Sequence, residues 1–235
     1  MDFGKSFTFM FEDPRWLQKF AIGIIVGLVG MLLSPILIGF IPLIIIAGYT
    51  VDVVRNVLDG QTYPMPEWED WGGFLVRGLK LIVAFFVWSL PIIIVSIPLV
   101  IGISLTSADG NIQPASRSFG ILLTVCAPCL MILWGIFEAL ISPAIYIRLA
   151  ATGSLGATFE IGKLWELTRD NLGSVIIALL LVIVASLIAA VVGSAGVMLL
   201  LVGILITVPA ATLWQYLVQA HLFGQIGRQT VTPIE

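Results

Sequence analysis

The chain has 235 residues, of which 59% are hydrophobic and only 11% are charged. Soluble domains carry roughly a quarter charged residues, so this composition excludes an ordinary water-soluble fold of this length. The formal net charge of -3 excludes a strongly basic nucleic-acid-binding protein, and two cysteines with one histidine leave little for a structural metal site. Long uninterrupted apolar runs favour helices over a β-barrel, so we predict an all-α integral membrane protein.

Six predicted transmembrane helices follow in chain order, each long enough to cross a hydrocarbon core of about 30 Å. They cover residues 18–34, 36–56, 74–105, 119–151, 173–192 and 196–226. The first two are separated by Ser34-Pro35 and the last two by Gly193-Ser194. Turns this short join antiparallel neighbours, so we expect three helical hairpins in a single membrane domain spanning residues 1–235.

The basic residues test this layout through the positive-inside rule. With the N-terminus in the cytoplasm, only Arg117 falls on the outer side. The other ten fall on the cytoplasmic side: Lys5, Arg15, Lys19, Arg55, Arg77, Lys80, Arg148, Lys163, Arg169 and Arg228. This bias predicts a multi-pass membrane protein with both termini in the cytoplasm.

A weak internal repeat divides the chain into approximate units 1–60, 61–153 and 154–235. An aromatic and acidic segment precedes the first, third and fifth spans and contains Trp16, Trp68 with Trp71, and Trp165, respectively. Between residues 156 and 172, apolar and charged side chains fall on opposite sides of a predicted helix. We therefore expect each unit to be an amphipathic segment at the cytoplasmic interface followed by a hairpin.

The first cytoplasmic loop carries a recognisable set of residues, with the following members: Gly48, Tyr49, Arg55, Gly60, Pro64, Pro66, Trp68, Asp70, Trp71, Gly72, Gly78, Leu79 and Lys80. This set resembles the core motif of a family of prokaryotic polytopic membrane proteins, the domain of unknown function 4013. The resemblance implies a helical membrane fold in the prokaryotic cytoplasmic (inner) membrane. It implies no catalytic residues or cofactors, because the family carries no established activity.

The motif residues also have a direct physical interpretation. Gly48 permits close helix packing, and Gly60 is a helix-stop residue. Pro64 and Pro66 favour an extended approach to the interface, where tryptophans anchor the next segment. Arg55 is expected to pair with Asp52, Asp59 or the acidic cluster at 67–70. These are structural roles, and a ligand site at this loop is the alternative.

Glu138 is the sharpest candidate for function within a predicted span. It lies ten residues before Arg148, or roughly 15 Å along a helix, which places it near the bilayer midplane. A charge there is costly, so this carboxyl must be protonated, paired or in contact with water. Either it is a proton or cation site, or it is a neutral group hydrogen-bonded to Ser142, Ser89 or Ser96.

Three other features have both a functional and a structural interpretation. Cys126-Ala127-Pro128-Cys129 has the C-x-x-C spacing of thiol redox motifs, but the chain has no second cysteine pair to pass electrons on. His221 could bind a pigment or be a satisfied interface residue. Small residues at positions 23, 27 and 30 allow close helix approach, either inside one molecule or between two.

These observations lead to three hypotheses about function. The first is a non-catalytic membrane component, namely a scaffold, an accessory subunit of a membrane complex or a lipid-organising protein. Its partners would be membrane lipids and a membrane-protein partner or a second copy, with no nucleic acid and no cofactor. The second is a small-solute or proton-coupled transporter that uses Glu138. The third, a membrane thiol redox enzyme using Cys126 and Cys129, is remote.

Overall fold

A computed structural model describes residues 1–107, 113–196 and 200–231, and within these ranges it is helical with no β-strand. The helices are α1 (Phe3–Glu12), α2 (Trp16–Leu33), α3 (Phe40–Leu58), α4 (Trp71–Ser107), α5 (Pro114–Thr152), α6 (Ile161–Asp170), α7 (Leu172–Ala195) and α8 (Leu200–Val231). Six of them, α2 to α5 with α7 and α8, are long and apolar enough to cross a membrane. The predicted all-α class and the number of predicted spans are confirmed.

Two predicted turns differ from the structure. Ser34–Ile36 forms a 3-10 turn and Leu37 adopts a φ of 60°, so α3 begins at Phe40 rather than at residue 36. At the other predicted turn, Gly193 and Ser194 are still helical, and α7 ends at Ala195. Residues 197–199 of the predicted sixth span lie outside the described residues.

The chain divides into two compact units, and the larger comprises residues 1–84 and 142–235. Helix α8 is its central element, since it packs against α1, α2, α3 and α7. Its buried side chains include Leu213, Leu217, Val218, Leu222, Phe223 and Ile226. The same unit also contains the beginning of α4 and the end of α5.

The small residues of α2 are used inside this unit. A Cβ added at Gly23 would lie 3.2 Å from the Trp68 ring, and one at Gly27 would lie 3.3 Å from Pro209 Cβ in α8. A Cβ at Gly30 would lie 2.9 Å from Leu43 Cδ2 in α3. This glycine face therefore serves close packing of α2 against α3, α8 and the loop before α4.

Two short helices flank the long ones. Helix α1 lies on α8, where Phe9 stacks on His221 with ring centroids 4.3 Å apart. Helix α6 covers residues that were expected to form an amphipathic helix, and it buries Leu164 and Thr168. Residues 61–70, which precede α4, contain no helix. The three aromatic and acidic segments thus differ in structure.

The smaller unit is Phe85–Ile141, which consists of the second half of α4 and most of α5. Within it the two helices contact one another at several levels. Trp134 Nε1 donates to the backbone carbonyl of Trp88 at 2.9 Å. A Cβ added at Gly102 would lie 2.8 Å from the carbonyl oxygen of Gly120. The side chains of this unit are otherwise largely exposed and apolar.

Candidate functional site

The loop between α3 and α4 is held in place by hydrogen bonds from the side chains of neighbouring helices. Gly60, directly after the C-cap Asp59, has a φ of 71° and ends α3 as predicted. The Asn56 side chain donates to the carbonyl of Pro64 at 2.9 Å, and the Tyr49 hydroxyl donates to the carbonyl of Pro66 at 3.1 Å. Two side chains of α3 thereby hold the extended segment that contains both prolines.

A buried lysine ties the same segment to α2. Lys19 Nζ lies 2.6 Å from Asp13 Oδ2 and 2.8 Å from Glu67 Oε1, and it donates to the carbonyl of Met65 at 2.7 Å. The side chains of Lys19 and Asp13 are only 6% and 4% exposed. An ammonium group has three donors, and each here has an acceptor. We call this group of Asp13, Lys19, Glu67 and the Met65 carbonyl the Lys19 network.

The two tryptophans of the loop differ in environment. Trp68 is buried, stacks on Tyr49 with centroids 4.2 Å apart, and donates from Nε1 to the carbonyl of Lys19 at 2.8 Å. Trp71 is exposed and its ring centroid lies 5.3 Å from that of Trp68. Trp68 is therefore part of the core of the larger unit, whereas Trp71 has the exposure expected of an interface anchor.

Glycines bring α3 and α4 into backbone contact beside the loop. A Cβ built on Gly48 would overlap the carbonyl oxygen of Phe74, and one built on Gly78 would overlap the carbonyl oxygen of Ile44. The two contacts are reciprocal, because each helix places a glycine against the backbone of the other. Gly72, by contrast, has open space around it. The predicted packing role of Gly48 therefore extends to Gly78 and not to Gly72.

A second set of charges lies on α3 and α4. Arg77 lies 2.7 Å from Asp52 and 2.9 Å from Asp70, and the hydrogen bond from its guanidinium lowers the pKa of the Asp70 carboxyl below its usual range. Arg55 lies 4.0 Å from Asp52, one of its three predicted partners, and donates from Nε to the carbonyl of Ala150 at 2.9 Å. These contacts join the end of α3 to the beginning of α4 and to the end of α5.

Lys80 joins α4 to the end of α5. Its ammonium donates to the carbonyl of Gly153 at 2.7 Å, and Gly153 has a φ of 64°, a conformation that glycine adopts readily. Near the same helix end, Glu160 pairs with Lys163 at 2.8 Å and with Arg148. The hydrogen bond from Lys163, followed by the attraction of both cations, lowers the pKa of the Glu160 carboxyl.

Glu138 lies in the smaller unit and is half-buried. Its Oε1 accepts a hydrogen bond from Ser89 Oγ at 2.8 Å, which is one of the three partners predicted from the sequence. The indole rings of Trp88 and Trp134 stack nearby with centroids 6.5 Å apart. The carboxyl therefore links α4 and α5 through a serine, within a largely aromatic and aliphatic environment.

The two cysteines and the histidine differ in their surroundings. Cys126 and Cys129 are free thiols on the exposed surface of α5. His221 is buried, and its Nδ1 lies 2.9 Å from Ser6 Oγ and 3.0 Å from Gln225 Nε2. It is thus a satisfied residue that holds α1 on α8. Within the described ranges, no group of three or more His, Cys, Asp or Glu residues is arranged to hold a metal ion.

A family model described as "Protein of unknown function (DUF4013)" matches residues 31–198, which is more than half of the chain. The chain belongs to the DUF4013 family. No curated protein and no solved structure matches it. The family match includes every predicted motif position, and the resemblance inferred from residues 48–80 is confirmed.

In this DUF4013 protein, the sequence motif does not indicate the Lys19 network. Asp13 and Lys19 precede the matched region, and the positive-inside rule accounts for Lys19 only as a cytoplasmic charge that sets topology. The available signal was its position one residue inside the predicted first span, where a cation needs a partner. The sequence nevertheless could not identify Glu67, 48 positions further along the chain, as that partner.

Proposed function

We propose that this protein is a non-catalytic multi-pass component of the prokaryotic cytoplasmic membrane, acting as a scaffold or accessory subunit that contacts lipids and a second membrane protein or a second copy. In this proposal the spans form three hairpins, the amphipathic segments lie at the cytoplasmic interface, and both termini are cytoplasmic. The ten-to-one partition of basic residues supports this orientation. So does the hydrogen bond from the Asp2 backbone to Gln225, which brings the two ends of the chain together.

The observation that carries the proposal is the exposed surface of the smaller unit. Its exposed apolar residues on α4 recur with alternating spacings of four and three, at Phe86, Leu90, Ile93, Ile97 and Val100. On α5, the exposed positions Leu122, Val125, Cys129, Ile132 and Ile136 follow the same spacing. This is the spacing with which helices pack knobs into holes, both in water and in membranes. Other apolar residues, such as Ile94 on α4 and Leu133 on α5, are exposed as well, so these two stripes belong to a broad apolar surface suited to lipid and to another helix.

The loop between α3 and α4, residues 59–70, which we call the motif loop, supports the same proposal independently. Its charged and aromatic side chains bind one another and backbone carbonyls, as in the Lys19 network and the Tyr49–Trp68 stack. Such interlocking is what a rigid platform requires. The loop would thereby fix the beginning of α4 within the larger unit.

Native mass spectrometry of the protein extracted gently from its own membrane tests this function. We expect a defined oligomer or a reproducible protein partner that is lost when Ile97 and Ile132 are both changed to tryptophan. The same change at Leu187, an exposed residue of α7, is the control and should leave the assembly intact. A bare monomer in the unsubstituted protein, with or without lipid, would contradict the accessory-subunit proposal.

A second candidate, a proton-coupled transporter, is favoured by one observation, the half-buried Glu138 hydrogen-bonded to Ser89. Because the solute is unidentified, the probe is proton flux into vesicles under an imposed potential, reported by an enclosed pH dye. Glu138→Gln retains an acceptor oxygen for Ser89 but cannot ionise. Transport through Glu138 predicts flux in the unsubstituted protein that is abolished by Glu138→Gln and retained by Ser89→Ala. Equal flux in empty vesicles would remove this candidate.

A further inference from the structure

A cavity of about 520 Å³ lies in the larger unit where α1, the loop after α3 and the last turns of α8 meet. We call it the α1–α8 cavity. Its walls include Lys5, Gly60, Gln61, Thr62, His221 and Arg228. Three separate parts of the chain thus contribute polar groups to one space. Gly60, one of the family-motif residues, lies in the wall between them.

Basic groups come from two sides of this cavity. Lys5 is on α1 and Arg228 is on α8. The acidic lining residue is Asp2, whose Oδ1 already accepts from the backbone N–H of Lys5 at 3.0 Å and caps α1. The Lys5 ammonium also lies 3.3 Å from the exposed carboxylate of Glu12 on the same helix. The lining thus contains two cations, and its carboxylate Asp2 caps a helix.

Glycine is required at the point where the guanidinium approaches the loop. A Cβ added at Gly60 would lie 3.2 Å from an Arg228 nitrogen and 3.3 Å from its Cζ. Such contacts are tighter than a side chain normally makes, and the φ of 71° adds strain for any residue with a Cβ. The missing side chain at Gly60 therefore leaves room for the Arg228 guanidinium beside the cavity.

His221 is held in the wall of the cavity by hydrogen bonds to two helices. Its Nδ1 lies 2.9 Å from Ser6 Oγ of α1 and 3.0 Å from Gln225 Nε2 of α8. Gln225 Oε1 in turn accepts from the Asp2 backbone N–H at 2.8 Å. The side chains of Gln61 and Thr62, which also line the cavity, are neutral groups that can donate to an oxygen ligand.

We propose that the α1–α8 cavity binds a phosphate group between Lys5 and Arg228, either that of a lipid headgroup or that of a free phosphate. An arginine fork with a second cation and neutral donors is the arrangement that recognises phosphate oxygens. The site is independent of the accessory-subunit function, because it uses residues of the larger unit and none of the exposed stripes. It assigns a binding role to the motif loop that the packing of the loop alone does not require.

The test uses the full-length protein, purified in detergent and stripped of lipid. The first probe is inorganic phosphate, titrated at constant ionic strength while thermal unfolding is followed, since a ligand that binds the folded state raises the unfolding temperature. The second is phosphatidylglycerol, with retention measured by native mass spectrometry. A response to phosphate identifies a site open to free phosphates, and retention of the lipid alone identifies a headgroup site.

Arg228→Gln and Lys5→Gln should each weaken binding of the responding probe by about tenfold or more, as expected for loss of a charge-assisted hydrogen bond. Arg169→Gln makes the same charge change at an exposed residue outside the cavity and should bind as the unsubstituted protein does. Gly60→Ala narrows the cavity without changing any charge and should also weaken binding. No binding of either probe, or equal weakening by Arg169→Gln, would overturn the proposal. Lys5 is exposed, so Lys5→Gln serves if Arg228→Gln fails to fold.

Discussion

Replacing Lys19 with methionine tests whether the Lys19 network holds the motif loop in place. Methionine has nearly the same length and apolar stem, so the change removes the ammonium with little loss of packing. Asp13, whose side chain is 4% exposed, would then lose its cation while remaining largely shielded from water. Breaking a buried pair by removing one partner costs about 3–5 kcal/mol, because a charge is left buried without compensation.

The structure indicates which part of this cost comes from which residue. Glu67 is 33% exposed and retains Arg15 at 2.7 Å, so its charge stays compensated. The loss therefore comes mainly from Asp13 and from the Met65 carbonyl, which loses its donor at 2.7 Å. Arg15→Gln is the matched control, since Arg15 is 62% exposed and such surface pairs contribute about 0–1 kcal/mol.

The assay is equilibrium unfolding in mixed micelles with increasing denaturing detergent, followed by tryptophan fluorescence. Trp68 is a suitable reporter because its indole donates to the Lys19 carbonyl. The double variant Lys19→Met with Asp13→Asn removes both charges, so it should be more stable than Lys19→Met alone. A free energy of unfolding for Lys19→Met that equals that of Arg15→Gln would refute the reasoning. So would a double variant less stable than the Lys19→Met single.

Three further predictions concern the motif. Gly48→Ala should lower the free energy of unfolding by about 1–3 kcal/mol or more, because the added Cβ overlaps the α4 backbone, whereas Gly72→Ala should leave it nearly unchanged in the same unfolding assay. Tyr49→Phe should cost about 0.5–1.5 kcal/mol in that assay through the lost hydrogen bond to the loop. The lowered pKa of Asp70 adds stability that is present above its unfolded-state pKa and lost as pH falls through its folded-state pKa. Unfolding measured across acidic pH should show this loss, and Arg77→Gln should remove it.

The helices could be predicted from the sequence because apolar length alone determines which segments cross a membrane. The predicted ends were less accurate where the backbone departs from regular geometry. The φ of 60° at Leu37 delays α3 to Phe40, and no residue type at that position signals a left-handed conformation. At Gly193 and Ser194 the predicted turn is instead helical, because residues that often mark a turn are also tolerated inside a membrane helix.

The candidate site could be predicted in part. The helix stop at Gly60 and the close packing at Gly48 follow from local chemistry, so the sequence indicates them. For Glu138 the sequence indicated three candidate serines, and the structure identifies Ser89 as a partner. The stack of Tyr49 on Trp68 and the pairing of Lys19 with Glu67 depend on how distant segments meet. A residue pattern indicates that a buried cation needs a partner, but only the fold identifies that partner.

Residues on both sides of the family match contact the loop between α3 and α4 and line the cavity. The family match covers residues 31–198, yet the loop inside it is held by Asp13 and Lys19, which precede the match. The α1–α8 cavity likewise combines Gly60 from inside the match with residues of α1 and α8 that lie outside it. The motif loop therefore depends on the first two helices and the last for both its stability and its cavity. It follows that the matched region expressed alone would lack the Lys19 network and two walls of the cavity.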